Sequence, residues 1–172
     1  MTPLEIICGW VESTSLSMWV RGESMLAFPT ILSFHTLGMG FLAGTSAGMD
    51  LRLLGLANRV PLSELAKFYW VMWLALAVSF TSGVLLLIGY PYKAFTNPVF
   101  YVKLALIAVA VYLIVRIRKE VLLQPDPNAP DVYHRGWRFG MISLGCWAGV
   151  ILAGRLLAYT YTWLRVGMPN HF

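Results

Sequence analysis

Residues 25–49 read MLAFPTILSFHTLGMGFLAGTSAGM, a run with one ionisable side chain, His35. A helix needs about 20 apolar residues to cross a bilayer, and this run is long enough. The polar groups of its backbone must then be satisfied inside the helix itself, because hydrocarbon offers them no partner. A titratable imidazole at that depth is costly unless something engages it. The stretch therefore sets both the fold class, a membrane helix, and the first candidate functional residue.

Three further runs qualify as spans, at about 68–89, 98–118 and 137–163. Between them stand breakers and charges: Asn58-Arg59-Val60-Pro61, Tyr90-Pro91-Tyr92-Lys93, and a Pro-rich segment at 124–130 expected to be an irregular loop. Pro98 suits the first turn of a helix. The expected fold is all-α: a four-helix transmembrane bundle forming one domain over 1–172. Composition agrees, with 58% hydrophobic and only 12% charged residues, against roughly 25% charged in soluble domains. Mean hydropathy is +0.67.

The net charge of +5 does not point to nucleic acid, because the basic residues cluster at helix ends. Arg52, Arg59, Lys67, Arg116, Arg118, Lys119, Arg135 and Arg138 flank the first and third loops. Arg21, Lys93 and Arg165 lie on the other side. The positive-inside rule then places both termini outside, periplasmic for a bacterial inner membrane. No basic n-region or cleavage site precedes the first span, so no cleavable signal peptide is expected. Cys8 and Cys146 are too differently placed to pair.

Residues 2–21 are too polar to span. Leu4, Ile7 and Val11 share a helical face and Trp10 and Trp19 suit the headgroup level, so the segment reads as interfacial, either a surface anchor or a lid over the bundle. Ser13-Thr14-Ser15 is expected to break it in two.

Two basic residues share the apolar spans with His35: Lys103 and Arg155. At about 1.5 Å per residue, His35 lies some 15 Å below the outer end of its helix, Lys103 about 7 Å and Arg155 about 12 Å. Tyr101, Tyr159, Ser33 and Ser79 are at similar depth. Haem b would use all three basic residues: an imidazole ligates the iron, and the propionates want Lys or Arg. Three readings of His35 stand open: a haem or metal ligand, an interhelical hydrogen bond, and a proton relay. For Lys103 the alternative is snorkelling to the interface. Arg155 is deep enough to want an anion, a propionate or a lipid phosphate.

A second axial ligand is not evident. His134 stands about 15–20 Å away, at the other end of the bundle, and reads as a solvated loop residue. His171 lies in the C-terminal tail, and Met39 shares the His35 helix. Asp50 and Arg52 read as a local ion pair closing the first span. That leaves no acidic residue within the spans and a dry inner half, which disfavours a permease. The eight methionines lack a copper-type spacing.

Gly40, Gly44 and Gly48 form a small-residue seam about 140–220° around the helix from His35. Such a seam admits a neighbouring helix: the fourth span, with its own Gly136/Gly140 and Gly145/Gly149, or another membrane subunit.

The pieces Arg21-Gly-Glu23-Ser24, Pro29, His35-Thr-Leu-Gly38, Asp50-Leu-Arg52-Leu-Leu-Gly55 and Asn97-Pro98-Val-Phe100-Tyr-Val-Lys103 together resemble an uncharacterised bacterial family of four-span membrane proteins. More distantly, His35 and Phe100-Tyr-Val-Lys103 resemble the copper-resistance D type and membrane protoporphyrinogen oxidase families. The second likeness implies haem binding by His35. The chain departs from the oxidases in its preceding interfacial segment and in Tyr133-His134-Arg135-Gly-Trp137-Arg138-Phe139, which replaces their Asn-Glu pair. The leading expectation is a non-enzymatic membrane subunit of a larger redox or energy-converting complex, lodged among lipids and carrying haem b. A cofactor-free structural subunit, a porphyrin-oxidising enzyme and a copper or small-solute permease are the alternatives. No catalytic motif stands out.

Overall fold

The computed structural model describes residues 3–23, 25–56, 59–124 and 129–163. They form α-helices α1 (Pro3–Glu12), α2 (Ser15–Met18), α3 (Ala27–Leu53), α4 (Leu62–Ala66), α5 (Tyr69–Gly89), α6 (Pro91–Phe95), α7 (Pro98–Ile117) and α8 (Pro130–Trp163). Single π-helical turns follow α2 at Trp19–Glu23 and α7 at Arg118–Leu122. No strand occurs among the described residues.

Four stretches are long and apolar enough to cross a membrane: Ala27–Leu53, Glu64–Gly89, Pro98–Leu122 and Pro130–Leu157. Phe34, Phe41, Leu74, Phe80, Leu104 and Ile151 are exposed on their outer faces. Such a belt of exposed large apolar side chains is what a bilayer covers. Trp70 and Trp137 at one end and Trp10 and Trp19 at the other are exposed as well, where aromatic belts belong. The chain is a multi-pass, all-α membrane bundle.

α3 is the central helix. It packs on α5 on one side and on α8 on the other, and α8 packs on α7. The α3–α5 contact needs Gly38: a Cβ there would stand 3.0 Å from the Ser79 nitrogen and 3.1 Å from the Ala75 oxygen. The α3–α8 contact needs Gly140, whose Cβ would stand 3.1 Å from the Asp50 carbonyl oxygen. Between these crossings Leu42, Met72, Ile114, Trp147 and Val150 fill the core. Without a solvent-driven hydrophobic effect between helices, such close backbone approach is a main source of association.

α3 ends in a Schellman motif. Gly55 has φ 87°, its N–H donates to the Arg52 oxygen and that of Leu56 to the Leu51 oxygen. At the start of α7, Asn97 caps the helix by accepting from Val99 N (3.0 Å), with Pro98 in the first turn. The Asn97 amide also donates to Thr160 of α8 (2.8 Å), tying the two helix ends together.

The N-terminal segment does break at 13–14, with Thr14 capping α2. One of its faces packs on the bundle: α1 on α6, and α2 on α5. Val20 is fully buried, in the space a Cβ on Gly89 would need. Arg21 pairs with Glu12 and donates to its carbonyl. The other face, with Leu4, Ile7 and Trp10, is exposed. The segment is thus both a cover for this end of the bundle, here called the capped end, and an apolar surface. The opposite end carries the basic residues.

Two expected boundaries move. α3 runs past 49 to Leu53 because Asp50 is buried within the bundle rather than at its edge. α8 starts at Pro130 rather than near 137. Its first turns are amphipathic, with Val132 buried and Asp131, His134, Arg135 and Arg138 exposed, so the helix outruns the apolar run that hydropathy detects. His134 is therefore helical and exposed, not a loop residue. Residues 125–128, most of the expected irregular loop, and the tail with Arg165 and His171 lie outside the described residues.

Candidate functional site

His35 sits one helical turn from the Gly38 crossing, facing α5. Its ring lies over Gly83, where a Cβ would come within 3.1 Å of Cε1. Nδ1 is 2.9 Å from the Ser79 carbonyl oxygen and 3.2 Å from Ser82 Oγ. A carbonyl only accepts, so Nδ1 carries the proton. The neutral ring then has its lone pair on Nε2, which makes no hydrogen bond among the described residues. This is the tautomer found in metal-ligating histidines, where the second nitrogen is fixed by a carbonyl or carboxylate.

Lys103 of α7 is a cation within electrostatic range of the ring. It is half-buried, and its Nζ lies 4.0 Å from where a Cβ on Gly154 of α8 would stand. It has no ion pair among the described residues. Its depth follows from the Asn97 cap, which fixes the start of α7. The fold thus puts the Lys103 ammonium within electrostatic range of His35, from helices far apart in sequence. Arg155 is not brought to them: it is exposed on α8, away from the buried face of Val150 and Ala153.

Of the hydroxyl residues expected nearby, only Ser79 joins, and through its backbone. Ser33 donates to Pro29 of its own helix (2.8 Å) and Tyr101 to Phe95 (3.0 Å), and Tyr159 is exposed. Ser82 and Gly83, which complete the seat, carry no sequence signal beyond small size. Met39 packs in the core and is not a candidate for the opposite axial position. No cluster of three or more His, Cys, Asp or Glu side chains forms among the described residues. A groove of ≈ 370 Å³ runs along α3 and α5, between Phe34 and Thr81, but His35 does not line it. Of the groups haem b would need, the described residues offer one imidazole nitrogen without a hydrogen bond, on His35, and a cation, Lys103, without an ion pair.

A second polar centre lies nearer the basic end. Asp50 is not paired with Arg52, as expected from sequence. Its carboxyl group is 1% exposed, and neither oxygen has a hydrogen-bond partner. Arg52 turns away and donates to the Val60 oxygen (2.6 Å). Asp50 points at α8 beside Ser143, whose own hydroxyl is buried and unpartnered. One turn along, Trp147 Nε1 donates to Ser46 Oγ (2.8 Å). Tyr69 of α5 donates to the Ile114 oxygen of α7, with the Arg118 guanidinium 5.1 Å from its ring centroid. An acidic residue thus does sit within the spans, and this half of the bundle holds polar groups.

The Gly40/Gly44/Gly48 seam does not pack on α8. A Cβ at each would meet nothing within 4 Å, and all three are exposed. α8 uses Gly136 and Gly140 against Leu53 and Asp50 instead.

At the capped end, burial lowers the pKa of Lys93, which lies over the Tyr90 ring at 5.9 Å. Burial, then Glu12, raises that of Cys8.

Comparison with known proteins adds no relative: no protein-family model, no curated protein and no solved structure matches the chain.

Proposed function

We propose that the chain is an integral subunit of a larger redox or energy-converting assembly in a bacterial inner membrane, holding haem b through His35. The observation that carries this reading is the Nδ1 bond to the Ser79 carbonyl, which leaves Nε2 basic and without a hydrogen bond. Lys103 supplies a cation within electrostatic range of the ring, suited to a propionate. Arg155, exposed at a similar depth, suits a lipid phosphate at the outer leaflet. Bound there, haem supplies one-electron transfer. The protein's own part is to fix the imidazole tautomer, hold the ring against Gly83 and offset negative charge. Any second ligand to the iron would come from a partner chain. The exposed Gly40/Gly44/Gly48 seam suits a neighbouring subunit's helix. The basic loops face the cytoplasm, so the capped end and both termini are periplasmic. The likeness to the oxidase family, through His35 and Phe100-Tyr-Val-Lys103, points the same way.

A second reading rests on the same ring. Bonds to Ser79 and Ser82 also suffice for His35 to act as a clasp between α3 and α5 in a cofactor-free structural subunit. Absorbance of the protein purified in mild detergent separates the two. A Soret band that is lost in His35→Ala and kept in Arg155→Ala is expected. A colourless, monodisperse product from haem-replete cells would leave only the clasp.

A further inference from the structure

α3 and α8 run antiparallel and face each other through two polar rungs. In one, Ser46 of α3 meets Trp147 of α8, and the rung is closed by a 2.8 Å hydrogen bond. In the next, Asp50 meets Ser143, and the two carboxyl oxygens and the hydroxyl are all buried without a partner. These residues are spaced by one turn on each helix, so the second rung repeats the geometry of the first. Only its chemistry differs.

An ionised carboxylate in that position is expensive. Removing a charge from water costs several kcal/mol or more, offset only by a close counter-ion and a full set of hydrogen bonds. Asp50 has neither. No Lys, Arg or His nitrogen lies within 4.0 Å of it among the described residues. Arg52 on its own helix points to Val60. From α5 the titratable group facing it is the Tyr69 phenol, which is committed to Ile114 and carries Arg118 on its ring. From α8 it is the Cys146 thiol. A metal cation also fits poorly, since it needs several oxygen ligands and, among the described residues, Ser143 supplies the one hydroxyl set against the carboxyl.

A proton meets every requirement. We propose that Asp50 is a proton-binding site, carried as the neutral acid with its O–H donated to Ser143 Oγ. The hydroxyl then donates onward to a carbonyl of its own helix, as intrahelical serines commonly do. Both polar groups gain partners and no net charge is buried. Ionisable groups held inside a membrane bundle characteristically mark such proton sites.

Difference infrared spectroscopy of the full chain in lipid, in H₂O and D₂O near neutral pH, tests this. A deuterium-sensitive acid C=O band is expected, absent in Asp50→Asn and displaced in Ser143→Ala. Isotopic labelling of aspartate in the unsubstituted protein gives the same assignment if Asp50→Asn does not fold. Carboxylate stretches alone from Asp50 at that pH overturn the proposal. So does an acid band abolished by sodium ions, which would assign the site to a metal cation. The readout is independent of haem, because the band is present or absent whether or not His35 holds a ligand.

Discussion

His35 and Asp50 lie on the same helix, about four turns and roughly 22 Å apart, and each faces a neighbour across a glycine-dependent contact. The His35 ring is clasped by α5 through the Ser79 carbonyl, leaving one nitrogen over. Asp50 is enclosed by α8 with both oxygens unpartnered. The first group is anchored and has one lone pair to spare. The second is surrounded and unsatisfied, so the bundle gains little stability from it as it stands. A ligand site wants a fixed group with an open valence, whereas a proton site wants a buried group whose charge is poorly supported. One helix presents both.

The contrast breaks most sharply at the crossings. Gly38→Leu drives a side chain into the α5 backbone, and Gly140→Leu drives one into the Asp50 carbonyl. Overpacking of this kind costs about 3 kcal/mol, and a drop in thermal unfolding temperature in detergent reads it. The two are expected to differ in place: Gly140→Leu exposes the buried Cys146 thiol to alkylation, and Gly38→Leu does so less. Equal exposure would mean the two centres do not open separately.

A smaller effect sharpens the difference in role. His35→Phe loses the Ser79 bond and is expected to cost about 1 kcal/mol, the scale of interhelical hydrogen bonds in membranes. Asp50→Asn removes no supported charge and is expected to cost less. Chemical denaturation in mixed micelles ranks them, and the reverse order would remove the contrast.

The smallest effect lies outside both centres. Cys8 is 3% exposed and its thiol is held above its ordinary pKa. A raised folded-state pKa favours the protonated thiol, so this contribution to stability is present below the ordinary thiol range and is lost as pH rises through the raised value. Alkylation of Cys8 is accordingly expected to start at higher pH than for an unfolded peptide, and removal of the α1–α6 contact should abolish the difference. Identical pH profiles for chain and peptide would show that the capped end is open.

The four spans were legible because apolar length and terminal charge survive any packing arrangement. Pro98 was legible as helix punctuation for a similar reason, since it acts on its own backbone. Asp50 was misread because, at the edge of an apolar run and two residues from Arg52, it has the pattern of a surface pair. Only the closeness of α8 at Gly140 shows that it is enclosed. The neighbour of the glycine seam stayed open between the fourth span and another subunit, because spacing reports a smooth face without reporting what lies against it. Arg155 shows the same limit in depth: rise per residue places its level, and only the packing of α8 gives its direction.

By itself the sequence determined that this chain spans a membrane four times and that His35 and Lys103 both lie within those spans. These follow from desolvation and local backbone chemistry, which act on each segment alone. The tertiary structure decided which nitrogen of His35 is left over, that Arg155 is exposed on α8 away from its buried face, and that Asp50 is buried against Ser143. Those depend on rotation and contact between helices, and the physical energies that set them arise only once the helices meet.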